Sequence, residues 1–242
     1  MHAAIVTGVS RGLGEALAIV MLARGFTVLG VGRTASAKLE GKLYHHAACD
    51  LARPALIAAS VTPALRLLAA RSPESVTLIN NAAVATPTGL VGHLDAAEIE
   101  LALVTNTAAP LVMADLFCRS FSDDAIERRI INISSGAAQA PLPGSAVYSM
   151  SKAALEMLTR SIAVEYTAPK FRCISLRPGI FETGMQAYMR SRDPAEFPSV
   201  GLFRGFKENG LLKDPADVAE RIVDKLVQGP VENGRTYGHA DF

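Results

Sequence analysis

Ala3-Ala4-Ile5-Val6-Thr7-Gly8-Val9-Ser10-Arg11-Gly12-Leu13-Gly14 is the stretch whose reading decides the fold. Its first part, 3–8, is a short apolar run stopped by glycine, the pattern of a strand buried on both faces. Over 12–24 the apolar residues Leu13, Leu17, Val20 and Met21 recur at helical spacing, and Gly25 supplies a C-terminal stop. A second buried strand follows at 27–31. A helix-length crossover returns the chain in the same direction, so this β-α-β order implies a parallel sheet. Gly8, Gly12 and Gly14 fall between strand and helix. There the chain can turn tightly, a pyrophosphate can approach the backbone, and the helix N-terminus points free N–H groups at the anion. Gly8, Ser10, Arg11, Gly12, Leu13 and Gly14 are thus expected to cradle a dinucleotide.

The same alternation extends outward. A weaker third strand stands at 43–48, and a helical region from Pro54 is interrupted by Pro63 and fades near Arg71. A fourth strand runs over 76–80. Asp95 and Glu98 resemble a capping box opening a long apolar helix toward Phe121. Strands at 129–133 and 172–176 flank a helix that reaches about Tyr166. Asp214-Pro215 caps a last helix, Gly229-Pro230 stops it, and a short final strand lies at 235–237. The expectation is an α/β fold, a doubly wound parallel sheet of about seven strands with helices on both faces, in one domain over 1–242. Only 184–210 breaks the pattern. Rich in Phe, Arg, Gly and Pro with no clear period, it reads as a lid or binding loop.

Composition narrows the function. With 242 residues, half of them apolar, the chain can bury one substantial core. The balance of 24 basic and 23 acidic residues creates no field for nucleic acid or an anionic membrane, which leaves small molecules as partners. Cys49, Cys118 and Cys173 are widely spaced, which fits neither a disulfide framework nor a zinc site and is consistent with a reducing cytoplasm. His45-His46 has no further ligand at metal spacing and reads as a strand end. The first strand leaves no room for a signal peptide, and no charge-free run is long enough to span a bilayer, so a cytoplasmic location is expected.

Two patterns carry chemistry. An acidic residue about twenty positions past the glycine turn would hold the ribose 2′-hydroxyl of NAD, but here the second strand ends in Gly32-Arg33-Thr34. Arg33 and Arg11 could instead flank a 2′-phosphate, which favours NADP. Tyr148 and Lys152 stand four apart on a helix-compatible run and share a face. A neighbouring ammonium favours phenolate, so the spacing is expected to lower the tyrosine pKa toward neutrality.

The glycine turn, Asn80-Asn81-Ala82-Ala83, Asn106, Ser134-Ser135, Tyr148-x-x-x-Lys152 and Pro178-Gly179 occur in this order. With them the chain resembles the short-chain dehydrogenase/reductase family, a Rossmann-type fold, over nearly its full length. The resemblance implies Tyr148 as catalytic acid/base. It implies Lys152 as the group that bonds the nicotinamide ribose and lowers the tyrosine pKa. Ser135, thirteen residues before Tyr148, would bond the substrate carbonyl, and Asn106 would kink its helix and hold a water of the proton relay. Asp50 and Leu51 fall at the implied adenine pocket, and Asn80 and Ala82 where the chain passes the ribose. Pro178, Gly179, Ile180 and Thr183 fall at the nicotinamide. Ala83 departs from the glycine more usual at its position.

Within the family, Phe181-Glu182-Thr183-Gly184-Met185-Gln186 and Phe197-Pro198 look like the sepiapterin and benzil reductase subgroup. That implies NADPH-dependent reduction of a ketone, diketone or pterin side chain. Leu94, Ala137, Gln139, Met185, Tyr188, Phe197 and Phe203 are candidate pocket walls. The apolar helices at 96–121 and 149–166 exceed what one sheet face needs, and the family pairs such helices in dimers and tetramers. Two other readings stand beside this one: a non-catalytic NADP(H)-binding redox sensor, and an NAD-dependent alcohol dehydrogenase.

Overall fold

The strands β1 (His2–Thr7), β2 (Thr27–Gly32), β3 (Tyr44–Ala48), β4 (Ser75–Asn80), β5 (Glu127–Ile133), β6 (Phe171–Arg177) and β7 (Thr236–Gly238) form one sheet. A computed structural model describes residues 1–242. All six pairings are parallel, in the order β3-β2-β1-β4-β5-β6-β7. The central strands are buried without alternation because helices cover both faces. Edge strand β3 alternates and leaves His45 exposed.

One face packs on α1 (Gly12–Ala23) and α8 (Pro215–Ile222), where Leu17, Met21, Val218 and Ile222 meet Ala4, Val6 and Ile174. The other packs on α2 (Pro54–Ala69), α4 (Ala109–Ser120) and α5 (Ala146–Glu165), burying Ile57, Leu65, Phe117 and Ile162. The chain runs outward from β1 to β3, then returns to β4 beside β1. The crevice at the carboxyl ends of β1 and β4 is therefore the switch point where ligands bind in such sheets.

Several expectations need correction. Pro63 does not interrupt its helix. It is exposed and its ring faces solvent, while Ile57, Val61, Leu65 and Leu68 bury the opposite face and carry α2 through. The predicted long helix is three pieces. Asp95 caps α3 (Ala96–Leu103) by accepting from Glu98 N at 3.0 Å, a π turn spans Val104–Ala108, and α4 follows. The whole stretch, Ala96–Ser120, is long and apolar enough to cross a bilayer. Here Ala109, Met113, Ala114 and Phe117 are used in the core. The 184–210 segment is not irregular but holds α6 (Gly184–Ser191) and α7 (Val200–Glu208). Neither shows a long period because each makes only about two turns.

Candidate active site

The glycine turn is clamped from β4. Thr7 Oγ1 accepts the N–H groups of Asn81 and Ala82 at 3.0 Å each, and Asn81 Nδ2 donates to Thr7 O at 2.9 Å. Gly8 and Gly12 hold φ of +74° and +62°. A Cβ on Gly14 would lie 2.3 Å from Gly8 O, and one on Gly8 would lie 3.0 Å from Ala82 Cα. Arg11 is the N-cap of α1 and makes no side-chain cap, so the first N–H groups of the helix have no side-chain acceptor. Leu13 is buried in the core, which limits it to a main-chain contact with any ligand. Ser10, Arg11 and Arg33 are exposed, and neither arginine enters an ion pair.

Along the crevice, Leu51, Asn80 and Ala82 line one depression with Thr105 and Pro110. Asn80 is buried, and its Oδ1 has no donor. Asp50 is exposed and accepts from Ala52 N at 3.1 Å. Pro178 is buried, and Gly179, at φ +84°, lies under His239. Ile180 and Thr183 follow on the same rim. A Cβ on Gly12 would lie 3.6 Å from Thr183 Cγ2, so Thr183 closes over the glycine turn, and its Oγ1 caps α6 by accepting from Gln186 N at 3.2 Å.

Beyond the crevice, β5 ends in two serines that face different ways. Ser134 Oγ donates to Glu156 Oε1 at 2.7 Å, whereas the Ser135 hydroxyl accepts from Ala137 N at 3.2 Å and faces the Tyr148 phenol. Lys152, on the next turn of α5, is buried and donates to Ile133 O at 2.7 Å, with Nζ 5.6 Å from the Tyr148 ring centroid. Two of its N–H groups remain to donate.

The electrostatics reverse the expectation from spacing. Burial pushes the Tyr148 phenol up to about 12, against the opposing pull of the facing Ser135 hydroxyl. Burial also draws Lys152 down to about 8. Loss of hydration on both groups outweighs the attraction that a charge at this spacing would supply.

Asn106 sits in the π turn, and its side chain is held by three hydrogen bonds. It accepts from Val84 N at 2.9 Å and donates to Val84 O at 2.8 Å and Ser151 Oγ at 3.1 Å. The helix distortion is present, but both side-chain N–H groups of Asn106 are already used.

Tyr148, Met185, Tyr188 and Phe203 all pack against a small core of Ala85, Met189, Phe197 and Val200. Phe197, a candidate pocket wall, is fully buried and holds α6 and α7 onto Gly144, where a Cβ would meet its ring at 2.8 Å. Gln139 is exposed and bonded to Arg177.

A short chain dehydrogenase family model matches residues 2–194 of this sequence. The chain belongs to that family. It is 33% identical to a benzil reductase ((S)-benzoin forming) of Bacillus subtilis over 100% of both chains. It is 29% identical to a sepiapterin reductase of Meriones unguiculatus over 98% of this chain and 95% of that one. Among solved structures, the KRED1-Pglu enzyme superposes with a TM-score of 0.83 at 28% identity, covering 98% of this chain and 100% of the other.

This short-chain dehydrogenase is therefore an oxidoreductase that uses a nicotinamide cofactor. The residues present fit such a group: a glycine turn that any side chain would fill, uncapped N–H groups at α1, and a buried Asn80 Oδ1 without a donor. Sequence reading missed the clamp by Thr7 and Asn81, although Asn81 stands inside a quoted motif. It also missed Glu156 and Arg177, 21 residues apart and joined only by folding.

Proposed function

We propose that this protein is an NADPH-dependent carbonyl reductase that converts a ketone or diketone to an alcohol. The observation that carries the reading is the Tyr148 phenol, facing the Ser135 hydroxyl, one helical turn from the buried Lys152 ammonium and packed with Tyr188 and Phe203 against one small apolar core.

The bound nicotinamide supplies the hydride. At neutral pH Tyr148 is a protonated phenol and so can donate as charge develops on the carbonyl oxygen. Ser135 faces the phenol and can bond the same carbonyl oxygen. Lys152, discharging only near pH 8, is cationic at neutrality and stabilises the phenolate left after proton transfer. Its two unused N–H groups suit the ribose hydroxyls, and the Asn106 main chain suits a relay water. Arg11 and Arg33, exposed and unpaired, support NADP over NAD, since β2 ends without a carboxylate. The nearest acid along the turn, Glu15, is occupied by Ser36 and Lys38.

The apolar lid and the benzil reductase relative favour a ketone flanked by aromatic groups. Exposed Leu101 and Leu111 on the α3–α4 stretch and Met150, Met157 and Val164 on α5 favour pairing of two copies through these helices. The functional test is cofactor oxidation with NADPH and NADH against a panel of diketones, aryl ketones and pterins. Tyr148→Phe should lose roughly a hundred- to ten-thousand-fold in turnover while still binding NADPH. Near-normal turnover of that variant refutes the mechanism. An NADH preference, or an NADPH KM unaltered by Arg33→Ala, refutes the cofactor choice. Tight NADPH binding without turnover of any ketone points to the redox sensor.

A further inference from the structure

Glu156 lies one turn beyond Lys152 on α5, on the face shared by Tyr148 and Lys152. It forms a two-point fork with Arg177, Nε to Oε1 at 2.8 Å and Nη2 to Oε2 at 2.7 Å. Oε1 also accepts from Ser134 Oγ at 2.7 Å, and Arg177 Nη1 donates to Gln139 Oε1 at 2.5 Å. The pair is largely enclosed, with side chains 12% and 25% exposed. Burial alone would raise the Glu156 carboxyl, but the bonds from Arg177 and Ser134 outweigh it and hold the group below its ordinary value. The pair is therefore ionised at neutral pH.

Its placement is what matters. The fork ties together three segments at the points where each delivers a site residue. Ser134 precedes Ser135, Glu156 follows Lys152 by one turn, and Arg177 precedes the Pro178-Gly179 turn. Gln139 closes the short 3-10 turn, Gly136–Ala138, that follows Ser135. We propose that the Arg177–Glu156 fork, with Ser134 bonded to it, is a positioning pair that holds the end of β5 in register with α5, so that Ser135 meets Tyr148. This rests on the carbonyl reductase reading. A displacement of about 1 Å in such a register lowers turnover by about a hundredfold.

A pair that serves only stability behaves differently, because replacing a buried ion pair by apolar residues is often neutral or stabilising. The experiment compares wild type, Arg177→Met, Arg177→Lys, Ser134→Ala and the double variant Glu156→Leu/Arg177→Leu. It measures kcat on the best ketone of the panel, the cofactor Kd from its fluorescence, and Tm. The expected result is a kcat loss of about 10- to 100-fold in Arg177→Met and in the double variant. Cofactor Kd should change less than about threefold, since the side chains of the fork bond Ser134 and Gln139 and no side chain of the crevice. Arg177→Lys should recover only part of kcat, because an ammonium cannot make the fork. Ser134→Ala, which removes the bond to Glu156 and a longer one to Lys152 O at 3.4 Å but little volume, should lose several-fold in kcat at near-normal Tm and serves where the others fail to fold. Unchanged kcat in a folded double variant or in Ser134→Ala overturns the proposal. So does a kcat loss matched by equal weakening of cofactor binding. Absence of wild-type turnover on every ketone overturns the functional reading and this proposal with it, whereas wild-type turnover with unaffected variants overturns this proposal alone.

Discussion

Replacing Lys152 with methionine should abolish turnover and, in the absence of cofactor, make the protein more stable. The ammonium is 2% exposed, and burial draws it from 10.5 down to about 8. At about 1.4 kcal/mol per pH unit, keeping that charge inside destabilises the folded protein by roughly 3 kcal/mol at neutral pH. The bond from Nζ to Ile133 O at 2.7 Å is lost in the variant, offsetting about 1 kcal/mol. The net gain of roughly 2 kcal/mol corresponds to a Tm about 4–8 °C higher for a chain of this length.

The pH dependence gives the sign. Below about pH 8 the folded and unfolded forms both hold the lysine proton, and the difference between variant and wild type is constant. From about 8 to 10.5 the unfolded chain holds the proton and the folded protein does not, so wild-type stability rises with pH and the two melting temperatures converge. Tyr148, raised from 10.0 to about 12, contributes stability that is lost only above pH 10. Differential scanning calorimetry of both proteins across this range is the assay. A variant that melts below wild type at neutral pH, or a gap that stays constant through pH 10, refutes the reasoning.

Three further outcomes are expected. Gly14→Ala places a Cβ 2.3 Å from Gly8 O, so the turn must open; it should destabilise by about 1–3 kcal/mol and weaken cofactor affinity at least about tenfold, as titration calorimetry would read. Phe197→Ala empties the core that seats α6 and α7, removing about 3–5 kcal/mol of local packing. It should raise the ketone KM and speed proteolysis within 184–210 while leaving cofactor Kd unchanged. Reductive kcat should fall as pH rises through about 8, where Lys152 loses its charge; a profile flat to pH 10 contradicts the role given to that ammonium.

The candidate site was legible unevenly. The glycine turn could be read because it is local. Gly8, Gly12 and Gly14 act through their own φ and the close approach of nearby backbone, and the strand and helix beside them carry their periods in neighbouring residues. The choice between Ser134 and Ser135 came only from the family's spacing. In the structure, alternation at the strand end sends one hydroxyl toward Glu156 and the other toward Tyr148. Pro63 misled because a proline's effect depends on which face it occupies, and that face is set by what packs opposite.

By itself, the sequence determined the parallel α/β order, the phosphate-binding turn and the pairing of Tyr148 with Lys152 on one helix face. Each follows from residues within one or two turns or strands. Tertiary structure decided the rest of the site's chemistry. It joined Arg177 to Glu156, used the Asn106 side chain on Val84, and folded 184–210 into two helices that share a small core with Tyr148. It also reversed the expected tyrosine shift. A helical spacing fixes how near an ammonium stands to a phenol, but desolvation depends on every atom packed around both, and those atoms come from all parts of the chain.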